Sequence, residues 1–216
     1  TAQLGLPYMG GLSFQRVSRE IPKNFDVQLT DDELRQIRLK LDTAGVRLLT
    51  YYIHQIPGDQ AGCRKVFEFA RDMGIETIVS EPPEEAFDLI DRLCQEFKIA
   101  VALHNHPKPS PYWDYKTVLR LCEGRSEWIG ACADTGHWTR SGIDPVEAIR
   151  ALGMAGRIRS LHFKDLNKFG VHEGGEHDVP WGTGVSKARE VLGMLASMGF
   201  EGSFSVEYEH NWLNSM

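Results

Sequence analysis

The sequence has 216 residues, of which 42% are hydrophobic and 25% are charged, a composition typical of one globular domain. A chain of this length can bury a sizeable apolar core. Its net charge of −6 disfavours a nucleic-acid partner, because proteins that bind phosphate backbones are basic on the binding face. The sequence holds no apolar run long enough for a membrane span, so no membrane partner is expected.

The four cysteines are scattered and include no Cys-x-x-Cys pair: Cys63, Cys94, Cys122 and Cys132. They are typical of buried thiols and not of a zinc knuckle or a disulfide framework. Free thiols favour the cytoplasm. The sequence shows no signal peptide. It begins at Thr1 within the pattern of a helix, so a cleaved N-terminal signal is an open alternative.

Hydrophobic periodicity and capping signals predict seven strands that alternate with helices. The first half contains a helix tail closed by Gly5, a strand at 7–12, a helix from the capping box Thr30 to Glu33 to near Gly45, a strand at 46–53, a helix at 60–73, a strand at 75–80, a helix at 84–96 and a strand at 99–103. The second half contains a helix at 115–123, a strand at 129–134, a helix from Asp144 to Leu152 with Pro145 in its first turn, a strand at 158–162, a glycine-rich loop at 167–184, a helix at 185–198 and a strand from 203.

This alternation indicates repeated βαβ units around a parallel sheet. An open doubly wound sheet is the alternative, but no G-x-G-x-x-G fingerprint follows an early strand. A (β/α)8 TIM barrel is therefore favoured, with residues 1–216 as a single domain. Such a barrel has eight strands, so we expect its first strand and last helix to lie outside this sequence, truncating the domain at both ends.

Four successive strands end in polar residues that can bind a metal: His104, Asp134, His162 and Glu207. In a barrel the carboxyl ends of the strands meet at one face, so these four side chains are expected to converge. Two imidazoles and two carboxylates suit one divalent ion such as Mn, Zn, Co or Mg. No thiolate is expected at the strand ends.

Each of these residues also has a purely structural interpretation. Asp134 precedes Thr-Gly, which is typical of a turn cap. His162 alone is typical of a buried, hydrogen-bonded histidine. His104 and His106 lie two residues apart and share a strand face; His104 is the favoured ligand because His106 precedes a proline and belongs to the loop. Glu207 and Glu209 share a face in the same way.

Five segments together resemble the sugar phosphate isomerase/epimerase family, the xylose isomerase-like TIM barrels that include ketose 3-epimerases and inosose dehydratases. They are Leu-His-Asn-His at 103–106, Asp-Thr-Gly-His at 134–137, Leu-His-Phe-Lys-Asp at 161–165, the loop at 178–184 and Ser-Val-Glu-Tyr-Glu at 205–209. The resemblance covers nearly the whole chain from Gly5. It implies a xylose isomerase-like barrel with a divalent metal site.

In this family the metal is held by four strand ends, and Asp134, His162 and Glu207 match the family's Asp, His and Glu. The departure lies at His104, where ketose epimerases carry a glutamate that is both ligand and base. The resemblance therefore leaves the two-base epimerase mechanism in question. Glu81 at the end of the preceding strand either substitutes for that glutamate or belongs to a turn with the prolines that follow.

The chemistry that such a site supports is proton abstraction next to a carbonyl, with the metal as a Lewis acid. Glu207 or His104 is the candidate base, provided that it is not fully committed to the ion. His137, which matches a substrate-contacting histidine of the family, and Lys164 would stabilise developing charge or return the proton. Lys164 and Asp165 would otherwise form a simple salt bridge.

Aromatic and polar residues of the loops are candidate substrate contacts, because aromatic faces suit sugar rings. Tyr112 lies in the loop at 107–113, and Trp181 ends the loop at 172–181. The predicted substrate-binding residues are His106, Trp113, Trp138, Trp181, His177 and Glu81. No arginine cluster for a phosphate is evident, which favours a neutral or oxidised sugar.

Three enzymatic functions follow. The first is a metal-dependent isomerase or epimerase of a keto-sugar, and the second is a lyase or hydratase acting on a 3-keto sugar or keto-glycoside. The third, an endonuclease IV-like repair nuclease, is disfavoured by the acidic charge balance. A non-catalytic sugar-binding barrel is the remaining alternative. The expected partner is a small sugar, and the sequence is compatible with a homo-oligomer.

Overall fold

The computed structural model describes residues 1–170 and 175–209. The strands are β1 Tyr8–Leu12, β2 Arg47–Tyr52, β3 Thr77–Ser80, β4 Ala100–His104, β5 Ile129–Asp134, β6 Ile158–Phe163 and β7 Ser203–Val206. The α-helices are α1 Asp31–Ala44, α2 Gln60–Met73, α3 Phe87–Phe97, α4 Tyr115–Cys122, α5 Thr135–Arg140, α6 Pro145–Met154 and α7 Ala188–Ser197. Short 3-10 helices lie at Ala2–Leu4 and Glu84–Ala86.

The strands follow one another in the sheet in the order of the sequence, from β1 to β7. Neighbours β1 and β2, β2 and β3, β5 and β6, and β6 and β7 pair in parallel. Sequential order without a reversal is the topology of a β/α barrel and not that of a doubly wound sheet. The α/β class and the seven predicted strands are confirmed.

The chain divides into two compact units, Thr1–Val101 and Ala102–Met216, and the division falls inside β4. In the first unit the predicted capping box begins α1: the Thr30 side chain accepts from the Glu33 backbone, and the Glu33 side chain accepts from the Thr30 backbone. The core of this unit includes an aromatic cluster of Phe25, Tyr51 and Phe69, whose rings lie 4.9–5.6 Å apart. The prediction of one domain over the whole chain stays a prediction.

Every residue of β4 and β5 is buried, as the continuous apolar runs predict for interior parallel strands. Two α-helices begin three residues later than predicted. The helix expected at 185–198 begins only at Ala188, because Lys187 has a left-handed φ of 56° and the Ser186 N–H donates to Asp165. The helix expected at 84–96 begins with the 3-10 turn Glu84–Ala86.

All four cysteines are buried and free, which confirms their interpretation as buried thiols. Among the described residues, no helix has the length and apolarity that a membrane crossing requires. The predicted loop at 172–181 falls partly outside the described residues, since the description resumes at 175.

Candidate metal centre

The second unit brings four predicted ligands together at the ends of consecutive strands. His104 ends β4, Asp134 ends β5, His162 lies near the end of β6, and Glu207 directly follows β7. Asp134 and His162 are direct register partners of the parallel pair β5 and β6. One ligand atom from each of the four residues lies within 4.8 Å of the others.

The cluster is buried on one side and partly open on the other. The His104 Nε2 atom lies 3.6 Å from Asp134 Oδ2, and the exposed fractions of these side chains are 3% and 0%. The His162 Nδ1 atom lies 2.7 Å from Glu207 Oε2, with exposed fractions of 12% and 32%. Glu207 is therefore the member of the set that a molecule from solution reaches most easily.

Asp134 has a structural role as well as a place in the cluster. Its Oδ1 atom caps α5 by accepting the His137 N–H at 2.8 Å, so the predicted turn after β5 is the first turn of a helix. The Asn105 side chain fixes the same residue, donating to the Asp134 carbonyl at 3.0 Å and accepting its N–H at 2.8 Å. The cap leaves Oδ2 directed at the cluster.

Lys164 is fully buried and lies against three carboxylates. Its Nζ atom is 2.8 Å from Asp134 Oδ2, 3.1 Å from Glu207 Oε1 and 3.3 Å from Glu209 Oε2. Burial lowers the pKa of Lys164, but these carboxylates outweigh it and raise that pKa above its usual value. Lys164 therefore stays charged and neutralises part of the acidic cluster.

The alternative of a simple salt bridge between Lys164 and Asp165 does not hold, because each side chain has other partners. The Asp165 carboxylate instead accepts backbone N–H groups of the loop before α7, from Gly182 at 2.8 Å, Gly184 at 3.0 Å and Ser186 at 2.9 Å. Successive strand residues face opposite sides of the sheet, so Lys164 and Asp165 leave the end of β6 in different directions.

The two ligand carboxylates are strong acids in this setting. Burial raises the pKa of Asp134, but His137 and the charge of Lys164 outweigh it and hold that pKa well below its usual range. Burial also raises the pKa of Glu207, but His162 and Lys164 outweigh it and lower that pKa to about 2. Both side chains are thus ionised at neutral pH, as ligands of a divalent ion must be.

The donor set fits a divalent cation. His162 Nδ1 and Glu207 Oε2 are buried and close, yet neither makes a well-aligned hydrogen bond among the described residues. Together with His104 and Asp134 they offer four ligand atoms within 4.8 Å of one another, close enough to bind one cation. Two imidazole and two carboxylate ligands are typical of zinc and the neighbouring first-row metals.

A thiol also lies beside this set, contrary to the expectation that none is available. The Cys132 Sγ atom lies within 4.8 Å of ligand atoms of His104 and His162. Cys132 and Asp134 are two residues apart on β5, so their side chains point to the same face of the strand. The sequence already contained this signal in the period of the strand.

A second group of possible ligands comprises His104, His106 and His137. The Nδ1 atoms of His104 and His106 are 3.2 Å apart. His137, however, lies between two positive charges, with Nδ1 3.0 Å from the Arg140 guanidinium and Nε2 3.3 Å from Lys164 Nζ. Burial and these charges lower the pKa of His137 well below its usual value. This group also contains no carboxylate to balance the charge of a cation, so the group with Asp134 and Glu207 is the better candidate.

The predicted substrate-binding tryptophans have different surroundings. Trp138 belongs to α5 and its side chain is fully buried, and its contact with a substrate stays a prediction. Trp181 is 40% exposed and donates its indole N–H to the Phe163 carbonyl at 3.1 Å. Trp113 packs under the Lys108 ammonium, which lies 3.9 Å from the ring centre.

The remaining predicted contacts are only partly brought to the cluster. His106 lies beside His104 and His137, with ring centres 4.3 Å and 5.1 Å away. The His177 backbone N–H donates to the Asn167 side-chain oxygen at 2.9 Å in the loop before α7, and the Asn167 amide nitrogen lies 3.1 Å from His177 Nδ1. Glu81 is buried in the first unit, 3.9 Å from His54 Nδ1, and its predicted substitution for the family glutamate stays a prediction.

Two residues of the site were missed by reasoning from the sequence, Asn105 and Arg140. Asn105 stands between His104 and His106 in the quoted Leu-His-Asn-His segment, so its position directly after β4 was the available signal. Arg140 lies three residues after His137, one helical turn away, but that signal appears only once α5 is known to be a helix.

Comparison with known proteins places the chain as follows. Residues 2–215 match the profile of the xylose isomerase-like TIM barrel family. An uncharacterised protein of Parabacteroides distasonis ATCC 8503 is 31% identical, with a TM-score of 0.73 over 99% of this chain and 83% of that chain. No curated protein matches the sequence.

Two further solved structures are similar in fold at low identity. D-psicose 3-epimerase with D-tagatose from Clostridium cellulolyticum H10 is 14% identical, with a TM-score of 0.70 over 96% of this chain and 76% of that chain. The IOLI protein, solved with a bound zinc atom, is 17% identical, with a TM-score of 0.69 over 96% of this chain and 81% of that chain. At these identities the likeness concerns the fold alone.

Proposed function

Because the chain belongs to the xylose isomerase-like TIM barrel family, we propose that it is a divalent-metal-dependent isomerase or epimerase of a keto-sugar. The observation that carries this proposal is the convergence of His104, Asp134, His162 and Glu207 within 4.8 Å. The reaction is the removal of a proton next to a carbonyl group and its return to the same or a neighbouring carbon.

The four converging residues would hold the ion. A divalent cation in that position supplies Lewis-acid stabilisation for the negative charge that develops on the substrate oxygen. Asp134 contributes Oδ2 while its other oxygen caps α5, and Asn105 fixes the backbone of the same residue. This support keeps the carboxylate in place whether or not a substrate is present.

Glu207 is the proposed base. Its side chain is 32% exposed, whereas those of His104 and Asp134 are almost fully buried. The carboxylate is ionised at neutral pH and lies 3.1 Å from Lys164, which stays charged and can stabilise negative charge on the substrate. The partly exposed carboxylate is thus unprotonated and able to accept a proton from carbon, while the neighbouring ammonium lowers its basicity.

A lyase or hydratase acting on a 3-keto sugar or keto-glycoside is the second candidate. His104 occupies the strand end where the resemblance to ketose epimerases predicts a glutamate, and a two-base epimerisation needs a second base on the opposite face of the substrate. Elimination needs one base and a leaving group. Measuring which product forms after proton abstraction separates these two reactions.

The proposed substrate is a neutral or oxidised sugar. Arg140, whose guanidinium lies near the cluster, is engaged by Glu209 at 3.2 Å and is 3.8 Å from Asp178, so its charge is already compensated. Trp181 offers a partly exposed ring for the apolar face of a sugar. The acidic net charge disfavours a nucleic-acid substrate.

Metal content measured by mass spectrometry tests the proposal first. We expect one ion per chain in the metal-supplemented wild type and loss of that ion in Asp134→Ala and His162→Ala. Glu190→Ala removes an exposed carboxylate of α7 and serves as the control that keeps the ion. Absence of an ion from the supplemented wild type contradicts the proposal.

Exchange of substrate protons with D2O is the second test. Keto-sugars and keto-glycosides are incubated with the metal-loaded protein, and deuterium incorporation next to the carbonyl is followed by NMR. We expect incorporation that Glu207→Gln abolishes. Ligand binding without any exchange would instead identify a non-catalytic sugar-binding barrel.

A further inference from the structure

His137 is held between two cationic side chains that can only donate hydrogen bonds. The ring is nearly buried, with an exposed fraction of 5%. Its Nδ1 atom lies 3.0 Å from an Arg140 guanidinium nitrogen. Its Nε2 atom lies 3.3 Å from Lys164 Nζ and 3.6 Å from Asp134 Oδ2, on the side of the candidate metal centre.

An uncharged imidazole carries one proton and accepts at one nitrogen only. Arg140 and Lys164 therefore cannot both donate to the His137 ring. Lys164 has three N–H groups and three carboxylate oxygens within 3.3 Å, which gives each of its protons another acceptor. The shorter contact, from Arg140 to Nδ1, is thus the one that the ring accepts, and the proton of the ring is on Nε2.

Arg140 is itself fixed in this position. Its guanidinium lies 3.2 Å from Glu209 Oε2 and 3.8 Å from Asp178 Oδ1. The Glu209 backbone N–H donates to the other Asp178 oxygen at 2.6 Å, which ties the Asp178 carboxylate to the backbone of Glu209. Two anchored acids on one side and an imidazole one helical turn away on the other leave the guanidinium little freedom.

We propose that Arg140 is a positioning residue that fixes His137 as the tautomer with its proton on Nε2, so that the ring directs an N–H group towards Asp134 and the candidate metal centre. This inference deepens the proposed function and rests on it, because the substrate on which His137 acts is the proposed sugar. In this tautomer His137 donates to a developing oxyanion. The role of base falls to Glu207, because Nε2 has no lone pair with which to take a proton.

The tautomer is measured directly on metal-free protein labelled with 15N in its histidines. Long-range proton–nitrogen correlation spectra distinguish Nε2–H from Nδ1–H rings, and His137→Gln identifies the signals of this residue. We expect the wild type to show the Nε2–H form. An Nδ1–H ring in the wild type overturns the proposal without need of any variant.

Arg140→Met then tests the cause. Loss of a charge-assisted hydrogen bond is expected to lower the ratio of Nε2–H to Nδ1–H by roughly tenfold or more. Arg140→Lys retains a donor and is expected to restore part of the ratio. Arg150→Met removes an exposed arginine of α6 and is the control with an unchanged ratio. A ratio unchanged in Arg140→Met as well refutes the role of Arg140.

Kinetics adds a readout once a substrate is found. A donor that acts on developing charge affects kcat more than KM, so Arg140→Met is expected to lower kcat at nearly constant KM. The tautomer spectra need no turnover. If the protein proves inactive, the proposed function fails while the assignment of the His137 proton is still decided by NMR.

Discussion

Lys164→Met removes a buried positive charge that three carboxylates share. At the 2.8 Å separation from Asp134 Oδ2 and an effective dielectric constant of about 20, one such pair attracts with about 6 kcal/mol. Burial of the ammonium offsets much of this attraction. Removing one partner of a buried ion pair costs about 3–5 kcal/mol, because the remaining charge is left uncompensated. Glu209 is 41% exposed and adds little, since water screens its charge.

We therefore expect metal-free Lys164→Met to lose about 3–5 kcal/mol of its free energy of unfolding. For a chain of this size the melting temperature falls by roughly 6–20 °C. Urea denaturation in the presence of a chelator measures the loss. Lys187→Met, which breaks the surface pair with Asp144, is the matched control and should change stability little.

Added zinc supplies the missing positive charge. It should stabilise Lys164→Met more than the wild type, because an ion that binds the folded state restores the compensation that the variant lacks. The reasoning is refuted if metal-free Lys164→Met is as stable as the wild type, since the carboxylates would then not depend on Lys164.

Three further predictions concern the same centre. The pKa of Glu207 is depressed from 4.5 to about 2, so the stability that its ionised form contributes is complete above pH 4.5 and is lost as the pH falls towards 2. Between these pH values the urea midpoint of Glu207→Gln should fall less than that of the wild type. Asn105→Ala leaves the backbone N–H and carbonyl of Asp134 without their side-chain partner. The free energy of unfolding should fall by about 1–3 kcal/mol, and the metal affinity measured by calorimetry should fall by roughly tenfold. Unchanged affinity would mean that Asn105 does not position the ligand. Gly136→Ala places a Cβ 2.7 Å from the Lys164 Cβ, and this overpacking should cost about 1–3 kcal/mol in thermal unfolding.

The sequence was sufficient for the parts of the fold that depend on local pattern. The continuous apolar run before Asp134 predicted an interior strand, and the Thr30 to Glu33 capping box predicted the start of a helix; the structure contains both. Convergence of the four strand ends followed from topology, because parallel strands that alternate with helices end on the same side.

The surroundings of the cluster depend on long-range contacts that local pattern does not contain. Asp165 was the nearest acid to Lys164 in the sequence, but the actual partners Asp134 and Glu207 lie 30 and 43 residues away. Helix α5 was missed because Thr135 and Gly136 are weak helix formers, and only the Asp134 cap and burial stabilise so short a helix. Without that helix neither the burial of Trp138 nor the role of Arg140 could be foreseen.

The buried ammonium of Lys164 also bears on whether the protein folds before or after it binds the proposed metal ion. Acidic ligands that have no internal counter-ion repel one another, and many small metalloproteins fold only when their ion is already present. Here the chain carries its own positive charge into the cluster, so we expect the protein to fold without a bound metal. If the cluster binds a divalent ion as proposed, the folded protein would acquire it after folding, and the metal bound would reflect the ions available then as well as the preference of the ligands.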